Sequence, residues 1–549
     1  AVSVVSVGML ANSHQANLIL ANQNEPHSSY IVSARNVGAA MAAVEAVGGE
    51  VTHELGVINA VGARLSESQI TSLRAREGLL KIFADHAVQA AALPDGGANV
   101  ADTEGDGNGN SGRYSYYAGL VGADTLHDLD VTGTGVAIAV LDSGIWKHAD
   151  LLDDPDGKER LVGAYDAING KNVRIKNTQD QFGHGSHVAS VAASSAVAPD
   201  GSFNGVAPGA DLVSVVAFGP DGTGTYADVI RGIDWVVSKK NRYNIRVLNL
   251  SFSAEPRSHY WDDPLNQAVM AAWEAGIVVV ASAGNSGPDP MTIGVPGNNP
   301  YIITVGAMTD SYTPAYGGDD VLASFSAAGP TYEGFVKPEV VAPGGHLIGF
   351  MDSEASLDSQ HPEFNDEGNY FTMSGTSQST AVVAGAAALL LEAKPWLTPD
   401  DVKCQLMSSA RPALADDGSL AYSIFQQGAG MINVSDAVQS TELSCANRGL
   451  DVRADLEGTA HFGGLANQDA NGDYYVMGVD GYLWADGYLW ADGYLWADGY
   501  LWADGFLWAD GYLWADGYLW ADGYLWADGY LWADSLTETA SVNAWVEQE

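Results

Sequence analysis

The chain has 549 residues and a formal net charge of −44, from 24 basic and 68 acidic side chains. So acidic a composition excludes nucleic acid as the partner, because phosphate binding rests on Lys and Arg, and it suits a soluble extracellular protein. The length leaves room for more than one domain and a large core. No apolar run reaches the ~18 residues of a membrane-spanning helix without polar interruption. The two cysteines, Cys404 and Cys445, fit a bridge in a secreted chain or free thiols in a cytosolic one, and their number does not choose.

Residues 1–28 open with the apolar run Ala1-Val2-Ser3-Val4-Val5 and then turn polar. They read as the remains of a secretion signal or a loose segment. Residues 29–92 form a compact pattern: a strand at 30–32, an Ala-rich helix over 37–47 stopped by Gly48-Gly49, strands over 51–55 and 57–64, a helix capped by Ser66 or Ser68, and a strand at 80–83. Glycine ends a helix and serine starts one for backbone reasons, and the resulting βαββαβ order predicts a small ferredoxin-like α+β unit. Residues 93–113 are rich in Gly, Asp and Asn. They bury too little apolar surface to fold and predict an exposed, protease-sensitive linker.

From 114 to 445, β-rich runs at 136–141, 212–217, 246–250, 277–281 and 301–305 alternate with helical stretches such as 226–239 and 265–275. This alternation predicts an α/β domain: a parallel sheet with helices on both faces. Four polar residues stand at element ends. Asp142 closes an apolar strand at a Gly turn, His184 opens a small-residue helix, Asn285 follows another strand, and Ser377 begins the long apolar run that stops at Lys394-Pro395. Singly they read as a turn former, a satisfied helix histidine, a turn amide and an N-cap. Together they stand where reacting groups gather in open α/β sheets, in the order Asp, His, Ser of one type of catalytic triad. His187 reads as a packed residue, and the Asp180, His184 and His187 spacing is a weaker, metal-like pattern.

Residues 446–480 are Gly- and Asp-rich and read as a connector. Residues 481–534 are nine copies of Gly-Tyr-Leu-Trp-Ala-Asp, one carrying Phe506 for Tyr, which is the signature of a repeat architecture. Asp-Gly between short apolar segments predicts hairpins and hence a β-rich meander; a coil with several copies per turn stays open, and nine tryptophans argue against disorder. The copies lack His, Ser and basic residues, so they supply neither a triad nor an anion site. Their aromatic surface predicts contact with a partner surface, a polymer or another copy, or packing on the α/β domain. Residues 535–549 form an acidic tail.

The motifs Leu141-Asp142-Ser143-Gly144, Gly183-His184-Gly185-Ser186-His187-Val188-Ala189, Ala283-Gly284-Asn285 and Ser374-Gly375-Thr376-Ser377 follow one another across 114–445. With them this segment resembles the subtilisin-like serine peptidases. The resemblance implies their α/β fold and a serine endopeptidase that cuts protein or peptide substrates through an acyl-enzyme, with no cofactor for catalysis. It implies Ser377 as nucleophile, His184 as general base, Asp142 as its orienting carboxylate and Asn285 as oxyanion donor. Residues 29–92 look like the inhibitory prodomain of that family, an intramolecular inhibitor whose tail over 85–91 lies in the cleft, with cleavage near Ala91. Gly222, Thr223, Gly224 and Ser251, Phe252, Ser253 match the two backbone segments that flank an extended peptide.

Three departures from the family pattern stand out. Ser253 replaces a usual Gly, which should narrow or reshape the pocket for the residue before the cut bond. Ala381-Val382 replace Pro-His, and Ser186 replaces Thr. Asp150 matches a calcium-binding carboxylate of many relatives, so structural calcium is expected there, and in a secreted chain Cys404 and Cys445 are expected to pair. The resulting expectation is a secreted, self-processing endopeptidase. The contrasting one is a catalytically silent protein that adheres to a surface through the aromatic repeats. The intact Asp142, His184, Asn285 and Ser377 favour the enzyme.

Overall fold

The computed structural model describes residues 25–76, 79–90, 115–310, 320–365, 369–415, 419–469 and 472–476, and the backbone of strands between 482 and 533. The expected signal remnant, the cleavage point near Ala91, the linker and the acidic tail lie outside the described residues.

The first unit runs β1 (Ser28–Ala34), α1 (Val37–Glu45), β2 (Glu50–Leu55), β3 (Ala60–Leu65), α2 (Glu67–Arg74) and β4 (Leu79–Ala84). Its antiparallel sheet has the order β2-β3-β1-β4. The Asn36 side chain caps α1, and Ser66 with Gln69 forms a capping box on α2, so both helices start where their first N–H groups find an acceptor. Alternation along the strands gives the sheet two apolar faces. Val32, Val61 and Leu65 pack with Ala40, Val44, Ile70 and Leu73 of this unit, while Ile31, Leu55, Ile58 and Ala60 join the core of the second unit.

The second unit is built on β6 (Ala137–Asp142), β7 (Leu161–Asp166), β8 (Asp211–Val216), β10 (Ile245–Leu250), β12 (Val278–Ser282), β13 (Ile303–Thr309) and β14 (Val340–Pro343). These pair in parallel; antiparallel partners occur at the edges, at Lys171–Asn172 and Val321–Leu322. The central strands are near-continuous apolar runs because both faces are covered: all six residues of β6 are buried. Helices α3 (His184–Ala193) and α6 (Thr376–Ala393) pack together against the sheet, and so do α4 (Tyr226–Tyr243) and α5 (Pro264–Glu274). The strand order runs β12-β10-β6-β8-β7. From β6 the chain first builds one side, β7 and β8, and then crosses to β10 on the other, so the sheet reverses direction between β6 and β10. A crevice outside the carboxyl ends of the strands opens at such a reversal.

The first unit docks onto α4 and α5. Backbone N–H groups of Gly56 and Val57 bond to Asp234, His53 Nε2 lies 3.0 Å from Asp228 Oδ1, and Lys81 pairs with Asp262. Asp85 Oδ1 accepts the Ala227 N–H at 2.9 Å, a carboxylate at the positive end of α4. Past Asp85 the chain enters the crevice as β5 (Ala87–Ala90).

Residues 446–469 and 472–476 pack on the second unit rather than leaving it as a connector. Helix α8 (Val452–Glu457) and the hairpin β15 (Ala466–Gln468) with β16 (Tyr474–Val476) close over it. Buried Asp455 accepts the hydroxyls of Tyr260 at 2.7 Å and Tyr301 at 2.6 Å, and Val476 packs on Phe425. A disulfide joins Cys404, on α7 (Pro399–Ser408), to Cys445. In the repeats, β17 (Tyr482–Ala491) runs straight through Asp486-Gly487 and pairs in parallel with β19 (Tyr500–Ala509), Tyr482 opposite Tyr500. Equivalent residues therefore lie three copies apart, as in a coil. Among the described strands the expected Asp-Gly hairpins are replaced by this parallel register.

Candidate active site

Asp142 ends β6 at the sheet reversal and His184 is the first residue of α3; both side chains are 0% exposed. The His184 Nδ1 lies 2.8 and 2.9 Å from the two Asp142 oxygens. A carboxylate accepts only, so Nδ1 carries the proton and Nε2 the lone pair. Asp142 Oδ1 also accepts the Ser143 N–H at 2.7 Å, which fixes the carboxylate. His184 Nε2 is buried and has no partner among the described residues. Burial alone would lower the imidazole pKa, but the charge and hydrogen bond of Asp142, with Asp180 beyond it, outweigh burial and raise it above 6.5.

Asp180 organises the entrance to α3. Its oxygens accept from the backbone of Phe182, Gly183 and Ser186 and from the Ser186 hydroxyl. Burial raises its pKa against those bonds. The metal-like spacing of Asp180, His184 and His187 is thus spent elsewhere: His187 Nε2–H donates to the carbonyls of Leu347 and Phe371. Burial, with the His184 charge nearby, pulls the His187 pKa down to about 3.

Ser377 lies in the first turn of α6, 1% exposed. Its hydroxyl donates to the Ser251 carbonyl at 3.0 Å, so in this structure it is turned to the residue that follows β10. Asn285 sits beside it. The Asn285 Oδ1 accepts the Thr376 N–H at 3.0 Å and hydroxyl at 2.8 Å, and these donors determine which way the amide points. Asn285 Nδ2 is buried and has no partner among the described residues. A buried N–H without an acceptor is costly, so one facing the crevice is a ready donor for an oxygen that enters it.

The crevice holds an extended segment of the chain itself. β5 lies antiparallel between β9 (Thr223–Thr225) and β11 (Phe252–Ser253). Gln89 pairs with Thr223 and Ser253, Val88 with Gly224, and Ala90 with Phe252. The Ala90 N–H donates to the Gly222 carbonyl at 3.0 Å. Val88 and Ala90 are buried.

Asp150 is the candidate calcium ligand. Its carboxylate is 43% exposed and 3.7 Å from His148 Nδ1. Its carbonyl accepts from Arg160 Nη2 at 3.0 Å, and that buried guanidinium also bonds to the carbonyls of Leu151 and Pro208 at 3.0 and 2.6 Å. Arg160 thus holds the backbone carbonyl of Asp150 and not its carboxylate. Among the described residues no three His, Cys, Asp or Glu side chains are grouped to hold a metal. Asp180 and Arg160 have roles that sequence reasoning missed, because most of their partners are backbone groups that no motif records.

The model of the "Subtilase family" matches residues 133–430. Serine protease AprX of Bacillus subtilis is 39% identical over 313 residues, 56% of this chain and 67% of the relative. Subtilisin E of Bacillus subtilis is 30% identical over 428 residues, 76% of this chain and 92% of the relative. Among solved structures, fervidolysin from Fervidobacterium pennivorans, described as a keratinolytic enzyme related to subtilisin, superposes with a TM-score of 0.58 at 22% identity. That likeness covers 77% of this chain and 62% of fervidolysin, and it bears on the fold. The matched residues span β6 to the end of the sheet, and the chain belongs to the subtilase family of subtilisin-like serine peptidases.

Proposed function

We propose that the chain is a secreted serine endopeptidase made as a self-processing zymogen. One arrangement carries this reading: the Asp142-bonded His184 with its open Nε2, Ser377, and the open Asn285 Nδ2 line the crevice that β5 enters. In the reaction the Ser377 hydroxyl turns from the Ser251 carbonyl to His184 Nε2. Its oxygen attacks the peptide carbonyl carbon as the proton passes to His184. Asn285 Nδ2 and the Ser377 N–H, at the positive end of α6, hold the oxyanion. His184 returns the proton to the leaving amine as the C–N bond breaks. Water then repeats the sequence, freeing the carboxylate and Ser377. Asp142 keeps the imidazole in one tautomer and stabilises its cation. No step uses a metal.

The unit over 29–92 acts as prodomain. Its docking contacts on α4 and α5 and the strand β5 between β9 and β11 support an inhibitor held in the manner of a product, with the cut near Ala91. No observation favours the catalytically silent alternative. Ser377→Ala tests both parts. Casein hydrolysis should vanish, and the protein should stay full length when purified without other proteases. Full casein-degrading activity in the variant would refute the catalytic assignment, and an identical processed N-terminus in both proteins would refute self-cleavage as the sole route.

A further inference from the structure

The nine copies over 481–534 wind into a coil whose two ends are strand edges. Every pairing described in the array joins equivalent residues three copies apart. β17 pairs with β19, and β18 (Leu495–Ala497) with β20 (Leu513–Ala515). β19 pairs in turn with β21 (Leu519–Ala521) and β22 (Tyr524–Ala527), and β20 with β23 (Leu531–Ala533). Three hexapeptides therefore make one coil, and the array makes three coils. Among the described residues, β17 and β18 have strand partners only in the second coil, and so do β21, β22 and β23 of the third. Each outer edge thus carries a row of backbone N–H and C=O groups directed away from the array.

Stacked repeats usually end in atypical copies that cover such edges. Here the first copy, Gly481 to Asp486, and the last, Gly529 to Asp534, are identical to inner copies. The sequence that lets the second coil receive the first therefore also lets the third coil of one chain receive the first coil of another, in the same direction and register. Leu519 of one copy then lies level with Leu483 of the next, as Leu501 lies level with both within a chain.

We infer that the two ends of the array are docking surfaces for a second copy of this chain, which stacks head to tail and continues the coil. The occupant follows from continuity, because the junction repeats the coil-on-coil pairing already present from β17 through β19 to β21. The two surfaces differ, one being the edge of the first coil and the other that of the third. Such an association does not close on itself and grows open-ended. Charge sets its conditions. Register puts Asp486 level with Asp504 in strands about 4.8 Å apart, and like charges so placed repel. No copy has a basic residue to offset them. Salt at about 1 M shortens the screening length to ~3 Å, so stacking strengthens as ionic strength rises.

The test uses the full chain as Ser377→Ala, so that proteolysis plays no part. Sedimentation velocity at pH 7 should show a weight-average mass that at least doubles and keeps climbing with concentration, more steeply in high salt than in low. A chain ending at 477 should stay monomeric under the same conditions. Cross-linking reads the geometry, since the strand spacing of about 4.8 Å lies within the reach of a disulfide. In the head-to-tail junction position 519 meets position 483 and not its own equivalent. Mild oxidation of mixed Leu483→Cys and Leu519→Cys proteins should therefore give a disulfide-linked dimer that neither forms alone, and Trp484→Cys with Trp520→Cys should do the same. A full chain that stays monomeric at every concentration and salt, or a chain ending at 477 that associates equally, would overturn the inference. So would mixtures that cross-link no better than the single variants at both pairs of positions.

Discussion

His184 and His187 lie three residues apart on α3 and are shifted in opposite directions. His184 must be neutral to accept a proton, and its folded pKa is raised above 6.5. The acid limb of kcat/KM against pH should therefore have its midpoint above 6.5, with rate lost as pH falls through it; a midpoint below 6.5 would contradict the Asp142–His184 pairing as the base. For His187 the depressed pKa makes a stability effect. The unfolded chain takes up its proton near pH 6.5, while the folded one resists protonation until about pH 3. Its contribution is whole above pH 6.5 and falls by about 1.4 kcal/mol for each pH unit below it. Urea unfolding of the Ser377→Ala protein at pH 7 and pH 5 should show the loss, and His187→Gln should flatten it by about 2 kcal/mol. An unchanged pH dependence would exclude a buried neutral His187. The positions of Asp142, His184, Asn285 and Ser377 at element ends were legible in sequence because each sits in a short Gly-containing motif. Asp150 rests on a local match alone; Arg160, ten residues on, bonds its backbone carbonyl and leaves the carboxylate to His148.

At the scale of elements, β1 to β4 and the two helices between them were readable because period-2 strands, Asn and Ser caps and glycine stops all agree. The strand ends that carry Asp142 and Asn285 were readable because fully buried parallel strands are unbroken apolar runs. Residues 446–476 were not. Their Gly- and Asp-rich composition resembles a linker, and the anchoring depends on one buried carboxylate, Asp455, that reaches two tyrosines far off in sequence. The Cys404–Cys445 bridge closes a loop of sequence separation 41 just before this segment, worth about 4 kcal/mol in the chain-entropy model. A chain ending at 445 should keep the bridge yet lose stability, since it forfeits the Asp455 bonds to the Tyr260 and Tyr301 hydroxyls, at about 1.5–3 kcal/mol each for bonds to a charged group, and the packing of Val476 on Phe425. A chain ending at 477 should keep its melting temperature and its rate on a small peptide, but lose retention on cells or insoluble material if the repeats serve adhesion. Equal melting temperatures for both truncations would mean that α8 and the β15–β16 hairpin contribute nothing to the fold. Loss of peptide cleavage in a folded chain ending at 477 would make the repeats part of the enzyme.

Across the whole molecule the sequence revealed the order of units better than their junctions. The repeat period was plain, but strand direction was not. Asp-Gly turns a hairpin when the chain reverses, and it passes unturned through β17 when neighbouring coils pair in parallel. The docking of the first unit was likewise hidden, because the face that meets α4 and α5 is as apolar as the face that meets its own helices. What unites the units is the crevice at the sheet reversal, reached by β5 from one side and by His184, Asn285 and Ser377 from the other. The central claim is that Ser377 is the activated nucleophile of that crevice. Labelling of processed protein with a fluorophosphonate, followed by peptide mapping, tests it most directly. The account predicts a single modified peptide carrying the label on Ser377, absent in Ser377→Ala and suppressed below the acid limb of His184; processed, folded protein that takes no label on Ser377 would contradict it.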